Sequence, residues 1–316
     1  MTGGGEAPEP PAGAGARRVV WRFLDGIPGH ENQTLGLVRA LSEHLPVDVH
    51  AVTASTAGAA LRHWLAATFP PGATLPGPDL LIGAGHHTHL PMLAARRARG
   101  GRVVVLMKPS LPLAWFDLCV VPMHDSPPER DHVIATRGVL NAVRTSADHD
   151  PEAGLILVGG PSPHYRWNGQ DLIRQIESIL QRDTRQWTLA TSRRTPDASA
   201  EALRQLRQPA LTVVPWQETG PDWLTQQLAR ASHVWVSEDS VSMVYEALTC
   251  GAACGLLEVP QRRASRVSRG IRRLRQDGWI TPFTAWEQGA ALRSPPEPFN
   301  EARRCANLIA RRWLDV

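Results

Sequence analysis

The chain alternates short apolar runs with longer segments in which apolar residues recur at helical spacing. Short apolar runs between amphipathic helices are typical of parallel strands that are covered on both faces. In the first half, this pattern predicts strands at 19–24, 47–52, 80–82, 103–107 and 118–121. It predicts helices between them at 31–45, 59–69 and 90–99.

The alternation stops between residues 126 and 154, where prolines and aspartates cluster, and then resumes. We interpret this stretch as the connection between two domains, with room for some structure at 133–143. In the second half, strands are predicted at 155–158, 188–190, 211–214, 234–236 and 255–257. Helices are predicted at 170–181, 198–206, 223–231, 241–250 and 264–276, before a closing helix at 301–314.

These two series predict an α/β protein with two Rossmann-like domains, whose parallel sheets face one another across a central cleft. The Gly- and Pro-rich stretch at 1–16 is interpreted as a disordered tail. The first domain with its linker is placed at 17–150, the second at 151–296 and a C-terminal helical segment at 297–316. In such sheets ligands bind beyond the carboxyl ends of the strands, so candidate chemistry is expected at the turns into the helices.

Composition narrows the class of protein. The hydrophobic share of 42% and charged share of 20% are those of a globular chain, and no apolar stretch approaches the ~20 residues that span a bilayer. The tail lacks the features of a secretion signal and the four cysteines are scattered, which favours a cytoplasmic protein without disulfides or structural zinc. Arginine carries nearly all of the positive charge and suits anionic partners, but the 30 interspersed acidic residues argue against nucleic acid.

The turn after the first predicted strand carries the candidate acceptor-side chemistry. His30 could serve as general base for an acceptor hydroxyl, and Asp25 could take that role or orient the imidazole. Gly29, Asn32 and Gln33 surround the start of the next helix and are candidates for binding the acceptor. The competing interpretation is a turn that is capped by Asp25, with His30 partly buried.

Two turns in the second half are candidates for binding a nucleotide. Gly159 and Gly160, with Ser162, follow a strand and could expose backbone N–H groups to phosphate, although the segment is not a P-loop. Ser192 and Arg193 follow the next strand and could form a phosphate clamp. An ordinary turn and a solvated arginine pair are the alternatives.

The most informative segment is 237–247, which joins a predicted strand to a helix. Ser240 and Ser242 can offer hydroxyls beside free N–H groups to a diphosphate, and Glu246 can accept both hydroxyls of a ribose. Glu238 and Asp239 would repel phosphate if they faced the site, so they are interpreted as helix caps or as ligands of sugar hydroxyls. A purely structural capping segment is the alternative.

Two weaker features complete the candidates. A histidine-rich turn at 85–89 has no companion Cys or carboxylate cluster, so we expect no metal and assign His86 to hydrogen bonding with the acceptor, or to filling the loop. A strongly basic segment at 262–275 is by default a solvated helix face. The alternative interpretations are that this segment contacts a nucleotide diphosphate or an anionic membrane surface.

Three segments, at 25–33, 114–125 and 238–247, resemble the mitochondrial-fission "elongated mitochondria" family, whose bacterial members are assigned as glycosyltransferases. The resemblance extends over 19–283. It implies the GT-B architecture of two Rossmann-like domains, with a closing helix that packs back onto the first domain. It also implies transfer of a sugar from a nucleotide-sugar donor, with no further cofactor.

A wider resemblance to the N-acetylglucosaminyltransferase of peptidoglycan synthesis implies roles for single residues. His30 is similarly placed to the histidine that ends its first glycine-rich loop, and Ser240, Ser242 and Glu246 are similar to its donor-binding helix start. By analogy the acceptor is a lipid-linked or envelope glycolipid at the inner membrane face, which a peripheral protein would reach from the cytoplasm. A non-catalytic scaffold and a nucleotide-sugar epimerase remain as alternative functions.

Overall fold

Two six-stranded parallel sheets, each flanked by helices, make up the protein. The computed structural model describes residues 17–220, 222–263 and 265–314, so the predicted disordered tail at 1–16 lies outside the described residues. The two sheets confirm the predicted α/β architecture with two Rossmann-like units. In the described part of the chain, no helix is long and apolar enough to cross a bilayer.

The first lobe contains a sheet with the strand order β2-β1-β3-β4-β5-β6. Its strands are β1 (Arg18–Leu24), β2 (Val47–Thr53), β3 (Leu80–Ala84), β4 (Arg102–Leu106), β5 (Leu118–Pro122) and β6 (Val133–Thr136). Its helices are α1 (Pro28–Ser42), α2 (Ala57–Leu65) and α3 (His86–Arg99). Strands β3 and β5 are buried along their whole length, as the continuous apolar runs predicted.

The second lobe contains a sheet with the strand order β12-β11-β10-β7-β8-β9. Its strands are β7 (Asp150–Leu157), β8 (Gln186–Ala190), β9 (Leu211–Val214), β10 (Ala231–Ser237), β11 (Ala253–Leu257) and β12 (Thr281–Pro282). Its helices are α4 (Gly169–Arg182), α5 (Asp197–Arg204), α6 (Trp223–Arg230), α7 (Val241–Cys250), α8 (Arg266–Gln276) and α9 (Phe283–Glu287).

The last helix, α10 (Glu301–Trp313), crosses back to the first lobe and packs on α1. Cys305, Ala306 and Ile309 on its apolar face are fully buried in the same core as Val20 of β1. Burying three such side chains stabilises the docked helix by a few kcal/mol, at about 25 cal/mol per Å² of apolar surface. This confirms the predicted return of the C-terminal helix.

The structure corrects three predicted boundaries. Strand β7 begins at Asp150 rather than at 155, whereas β6 at Val133–Thr136 falls where the sequence left room for some structure. Helix α3 begins at His86 instead of residue 90, so the histidine-rich turn is the first turn of a helix. Helix α2 ends at Leu65 because Ala67 takes a positive φ of 50° and turns the chain, which places Phe69 in the core.

The two lobes are held together by polar and close backbone contacts. Asn141 donates a buried hydrogen bond of 2.9 Å to the Thr249 hydroxyl of α7. Asn141 itself is fixed to the first lobe, since Gly36 of α1 lies so close to its carbonyl that a Cβ there would overlap it. The ring of Tyr245 likewise packs directly on Gly138. Helix α7 of the second lobe therefore contacts the segment that follows β6 at Tyr245 and Thr249.

Candidate functional site

The turn between β1 and α1 holds a histidine and an aspartate in direct contact. His30 Nδ1 lies 2.7 Å from Asp25 Oδ2, and only 1% of the Asp25 side chain is exposed. Asp25 Oδ1 accepts from the Ile27 N–H at 3.1 Å, which fixes the carboxylate. Pro28 at the first helical position starts α1, since its fixed φ suits a helix N-terminus. The structure thus brings the two predicted catalytic residues together.

Gly85, which the sequence did not indicate as a site residue, packs against both His30 and Asp25. Gly85 has a φ of +82° just before α3, and a Cβ there would overlap the His30 imidazole and the Asp25 carboxylate. In the sequence, Gly85 is recognisable as a glycine between an apolar strand and a polar helix start. The residues that a side chain at Gly85 would overlap, His30 and Asp25, come from a different turn. Gly85 therefore determines where the imidazole can lie.

The histidines after Gly85 have different surroundings. His86, predicted to bind the acceptor, is exposed and its ring lies 3.8 Å from that of His87, centroid to centroid. His89 is buried, contacts Ser110 Oγ at 3.2 Å, and has its pKa lowered to about 4 by burial and by the charges of nearby histidines. It is therefore neutral near pH 7. The described residues contain no group of three or more His, Cys, Asp or Glu placed to hold a metal ion.

A hydrogen bond crosses the cleft beside His30. Asn32 Nδ2 on the first turns of α1 donates to Glu246 Oε1 of α7 at 2.8 Å. Burial raises the pKa of the Glu246 carboxyl to about 7, and the bond from Asn32 opposes that rise. Asn32 was predicted to bind the acceptor, whereas the structure places its amide against the predicted ribose ligand. A residue predicted for the acceptor side and one predicted for the donor side therefore meet between the lobes.

The other predicted acceptor residues differ in exposure. Gly29 is exposed, and a Cβ there would meet nothing within 4 Å. Gln33 is buried, and its Nε2 lies 3.4 Å from the sulfur of Met107, which takes a positive φ of 70° after β4. Gln33 therefore contacts the protein interior, which corrects the prediction that it faces the acceptor.

The glycine pair after β7 does not offer free N–H groups. The Gly159 N–H donates to Ser237 Oγ at 2.7 Å, and the Gly160 N–H donates to Asp239 Oδ2 at 2.9 Å. A Cβ on Gly159 would overlap the Asp239 carboxylate. The prediction that these amides bind phosphate is therefore corrected, because Ser237 and Asp239 already occupy them. Ser162 accepts from the His164 N–H at 3.3 Å.

The two acidic residues after β10 are engaged within their own lobe. Asp239 Oδ2 lies 2.9 Å from Arg194, whose guanidinium also donates to the Gly160 carbonyl at 2.8 Å. Glu238 is buried and accepts from Gln261 at 3.2 Å, and burial raises its pKa. The charge of Asp239 is paired with Arg194, so the expected repulsion of phosphate by this carboxylate is weakened.

The turn after β8 is stabilised by hydrogen bonds between its own residues, and its Arg193 lies over the ring of Trp216. Ser192 Oγ accepts from the Arg194 N–H at 3.2 Å and contacts Thr195 Oγ1, also at 3.2 Å. The Arg193 guanidinium lies 5.5 Å from the centroid of Trp216, which is 36% exposed after β9. Sequence reasoning missed Trp216, since a lone tryptophan after an edge strand carries no motif. This pair forms an open aromatic platform at the carboxyl edge of the second sheet.

Helix α7 begins without a side-chain cap. Ser240 stands at the N-cap position but makes no capping hydrogen bond, and Ser242 is exposed on the first turn. The first N–H groups of a helix have no partner inside the helix, and here no side chain of the described residues caps them. Together with the helix dipole, this makes the start of α7 suited to an anion. Glu246 lies one to two turns further along the same helix.

Two Rossmann-like lobes and a returning C-terminal helix define a GT-B-like fold, and the candidate site lies between the lobes. The chain belongs to the mitochondrial fission ELM1 family, whose family model matches residues 28–313. It is 25% identical over 281 residues to the mitochondrial fission protein ELM1 of Arabidopsis thaliana, an alignment that covers 74% of this chain and 64% of that protein.

Solved structures show the same fold. A protein of Listeria monocytogenes assigned as a UDP-N-acetylglucosamine 2-epimerase matches with a TM-score of 0.59 at 12% identity, over 95% of this chain and 98% of that one. The Neisseria meningitidis UDP-GlcNAc 2-epimerase bound to UDP-GlcNAc matches with a TM-score of 0.51 at 10% identity, over 95% and 100% of the two chains. At these identities the likeness establishes the fold alone.

Proposed function

We propose that this protein transfers a sugar from a nucleotide-sugar donor to a hydroxyl acceptor in the cleft between its lobes. The observation that carries the proposal is the Asp25–His30 pair, which stands beside the contact of Asn32 with Glu246. A histidine oriented by a buried carboxylate is the arrangement that general-base catalysis requires. The neighbouring start of α7 supplies the features that a nucleotide diphosphate requires.

His30 is the proposed base. With Asp25 accepting from Nδ1–H, the neutral imidazole carries its proton on Nδ1 and leaves the lone pair of Nε2 free. Nε2 takes the proton of the acceptor hydroxyl as its oxygen forms a bond to the anomeric carbon. The bond from that carbon to the diphosphate oxygen breaks, and its electron pair leaves with the nucleoside diphosphate.

The second lobe is proposed to hold the donor. The open N–H groups at the start of α7, with Ser240 and Ser242, would hold the diphosphate and stabilise its charge as it departs. Glu246 would accept the ribose hydroxyls in place of the Asn32 amide. The exposed platform of Trp216 and Arg193 offers a stacking surface for the base, of a kind worth about 1–3 kcal/mol per base.

Calorimetric titration with UDP-, GDP-, CMP- and ADP-linked sugars tests the donor site. We expect one nucleotide class to bind, and His30→Ala to abolish transfer while leaving donor affinity within about twofold, because the imidazole acts on the acceptor. His50→Ala on strand β2 is the matched control and should retain both properties.

Each adverse outcome points to a different function. Failure of every donor to bind would favour a non-catalytic scaffold with this fold. Conversion of the donor sugar without any acceptor would favour an epimerase. Equal loss of binding and transfer in His30→Ala would show that His30 is not the acceptor-side base.

A further inference from the structure

A separate cavity of about 1050 Å³ opens where the two lobes meet, and its lining includes neither His30 nor Glu246. The first lobe contributes Met123 and His124, which follow β5, and Arg137, which follows β6. The second lobe contributes helix α8 and the residues around Trp279 and Glu297. The cavity therefore exists only when the lobes are assembled. We call it the α8 groove.

The lining of the α8 groove is rich in arginine. It includes Arg137, Arg269, Arg272 and Arg273, while its carboxylates are Asp277 and Glu297. Both carboxylates are already engaged, since Glu297 lies 2.5 Å from Arg137 and Asp277 lies 3.5 Å from Arg273. Arg137 also lies over the ring of Trp279 at 4.9 Å, which restricts its guanidinium.

Arg269 and Arg272 are the two arginines of this lining that are not paired with Glu297 or Asp277. They lie three residues apart on α8, both side chains are exposed in the groove, and neither has a carboxylate partner among the described residues. Side chains three apart on a helix are neighbours, so their like charges repel when nothing lies between them. Two adjacent guanidinium forks can each donate paired hydrogen bonds to phosphate oxygens.

The backbone that carries these arginines is fixed against the first lobe and α7. Gly270, between them, is buried, and a Cβ there would lie 3.0 Å from the Tyr245 hydroxyl and 3.6 Å from His124 Nδ1. Tyr245 immediately precedes Glu246 on α7. The backbone that carries the arginine pair is thus fixed at the lobe boundary, in the lining of the groove, which is unlike a freely solvated helix face.

We propose that the α8 groove binds a phosphate-bearing ligand, held by the paired guanidinium groups of Arg269 and Arg272. The ligand neutralises the repulsion between the two arginines and bridges a groove that both lobes build. This inference uses none of the residues assigned to sugar transfer and stands independently of that function. The same phosphate chemistry is offered by a soluble diphosphate and by the headgroup of an anionic lipid.

Binding of inorganic pyrophosphate, measured by calorimetry at low salt, tests the soluble source. Arg269→Gln with Arg272→Gln should weaken a pyrophosphate site by at least about tenfold, because two charge-assisted contacts are lost. Arg62→Gln with Arg311→Gln removes the same charge from exposed positions on α2 and α10 and should leave affinity unchanged. Glutamine keeps a high helix propensity, so both double variants should unfold at the wild-type temperature.

Sedimentation with phosphatidylcholine vesicles, with and without phosphatidylglycerol, tests the lipid source. Binding to the phosphatidylglycerol vesicles that R269Q/R272Q loses and R62Q/R311Q keeps would support the proposal with a headgroup as the ligand. A selective loss of pyrophosphate binding would support it with a soluble ligand. The proposal is overturned if R269Q/R272Q and R62Q/R311Q bind pyrophosphate equally and also bind the phosphatidylglycerol vesicles equally. It is also overturned if the wild type binds neither probe.

Discussion

At the scale of single residues, the site depends on close approaches that no motif describes. Asp25 and His30 lie five positions apart in one turn, and the sequence already indicated that Asp25 could orient the imidazole. The position of the imidazole is set by Gly85, which comes from a different strand end. A side chain at Gly85 is excluded twice, by its positive φ and by the ring that it would overlap.

Gly85→Ala should therefore displace His30. We expect a loss of about 1–2 kcal/mol in the free energy of unfolding from the backbone conformation, and a fall in transfer activity of tens of fold. Gly100→Ala is the matched control, since Gly100 has a φ of +77° and no neighbour within 4 Å of its Cβ position. Denaturant unfolding should show Gly85→Ala to be destabilised at least as much as Gly100→Ala. Activity assays should show a loss of the proposed transfer activity in Gly85→Ala and not in Gly100→Ala. Equal activity of the two variants would contradict the positioning role.

At the scale of elements, three strand ends of the second lobe are tied together by one carboxylate. Asp239 after β10 accepts from the Gly160 N–H after β7 and pairs with Arg194 after β8. None of its side chain is exposed. These contacts explain why the Gly159 and Gly160 amides, which the sequence predicted to bind phosphate, are instead bonded within the protein. The polar loops of this lobe are held as one unit.

Asp239→Asn should lower the stability of the protein, because Asp239 joins the loops after β7, β8 and β10. Removing the charge of a buried residue from its arginine partner costs about 1–3 kcal/mol of unfolding free energy, measured by denaturant titration. Glu201→Gln disrupts an ion pair with Arg204 whose side chains are about half exposed, and should change stability by less than about 0.5 kcal/mol. A change in Asp239→Asn as small as that of the control would contradict the bracing role.

Sequence patterns predicted the long elements and left some of the short ones unassigned. Strand β12 has two residues, too few to be separated from a loop, and β6 has four residues in a stretch where the sequence indicated only that some structure could form. The first turn of α3 is polar and reads as a loop, yet it becomes helical because Gly85 turns the chain there. Hydrogen bonding and sheet pairing, which are tertiary contacts, decide such segments.

At the scale of the whole molecule, the two lobes are joined through helix α7. Its residues Tyr245, Glu246 and Thr249 each contact a group of the first lobe or of the segment that follows it. A buried glutamate at this boundary is costly when ionised, because Asn32 is the only side chain of the described residues that donates a hydrogen bond to it in place of the lost water. The interlobe contact at Glu246 is therefore sensitive to pH.

Glu246→Gln should stabilise the protein at alkaline pH. The folded pKa of about 7 lies above the ordinary value of 4.5, so between these values the folded chain binds more protons than the unfolded chain, and stability falls as pH rises. The advantage of the variant should be small near about pH 4.5, grow through about pH 7 and then level off, reaching a few kcal/mol at most. Thermal unfolding across this range measures it, with Glu201→Gln as control. A pH-independent difference would contradict the role of burial.

The sequence by itself determined the two α/β series and the turns that carry polar residues, and it placed Asp25 and His30 in the same turn. These depend on local periodicity and on neighbours a few residues apart. Only the tertiary structure decided which polar groups stay free. It assigned the Gly159 and Gly160 amides to Ser237 and Asp239, Gln33 to Met107, and Glu246 to Asn32. The physical reason is that a buried polar group takes whichever partner the fold brings within hydrogen-bond distance, and that partner is distant in sequence.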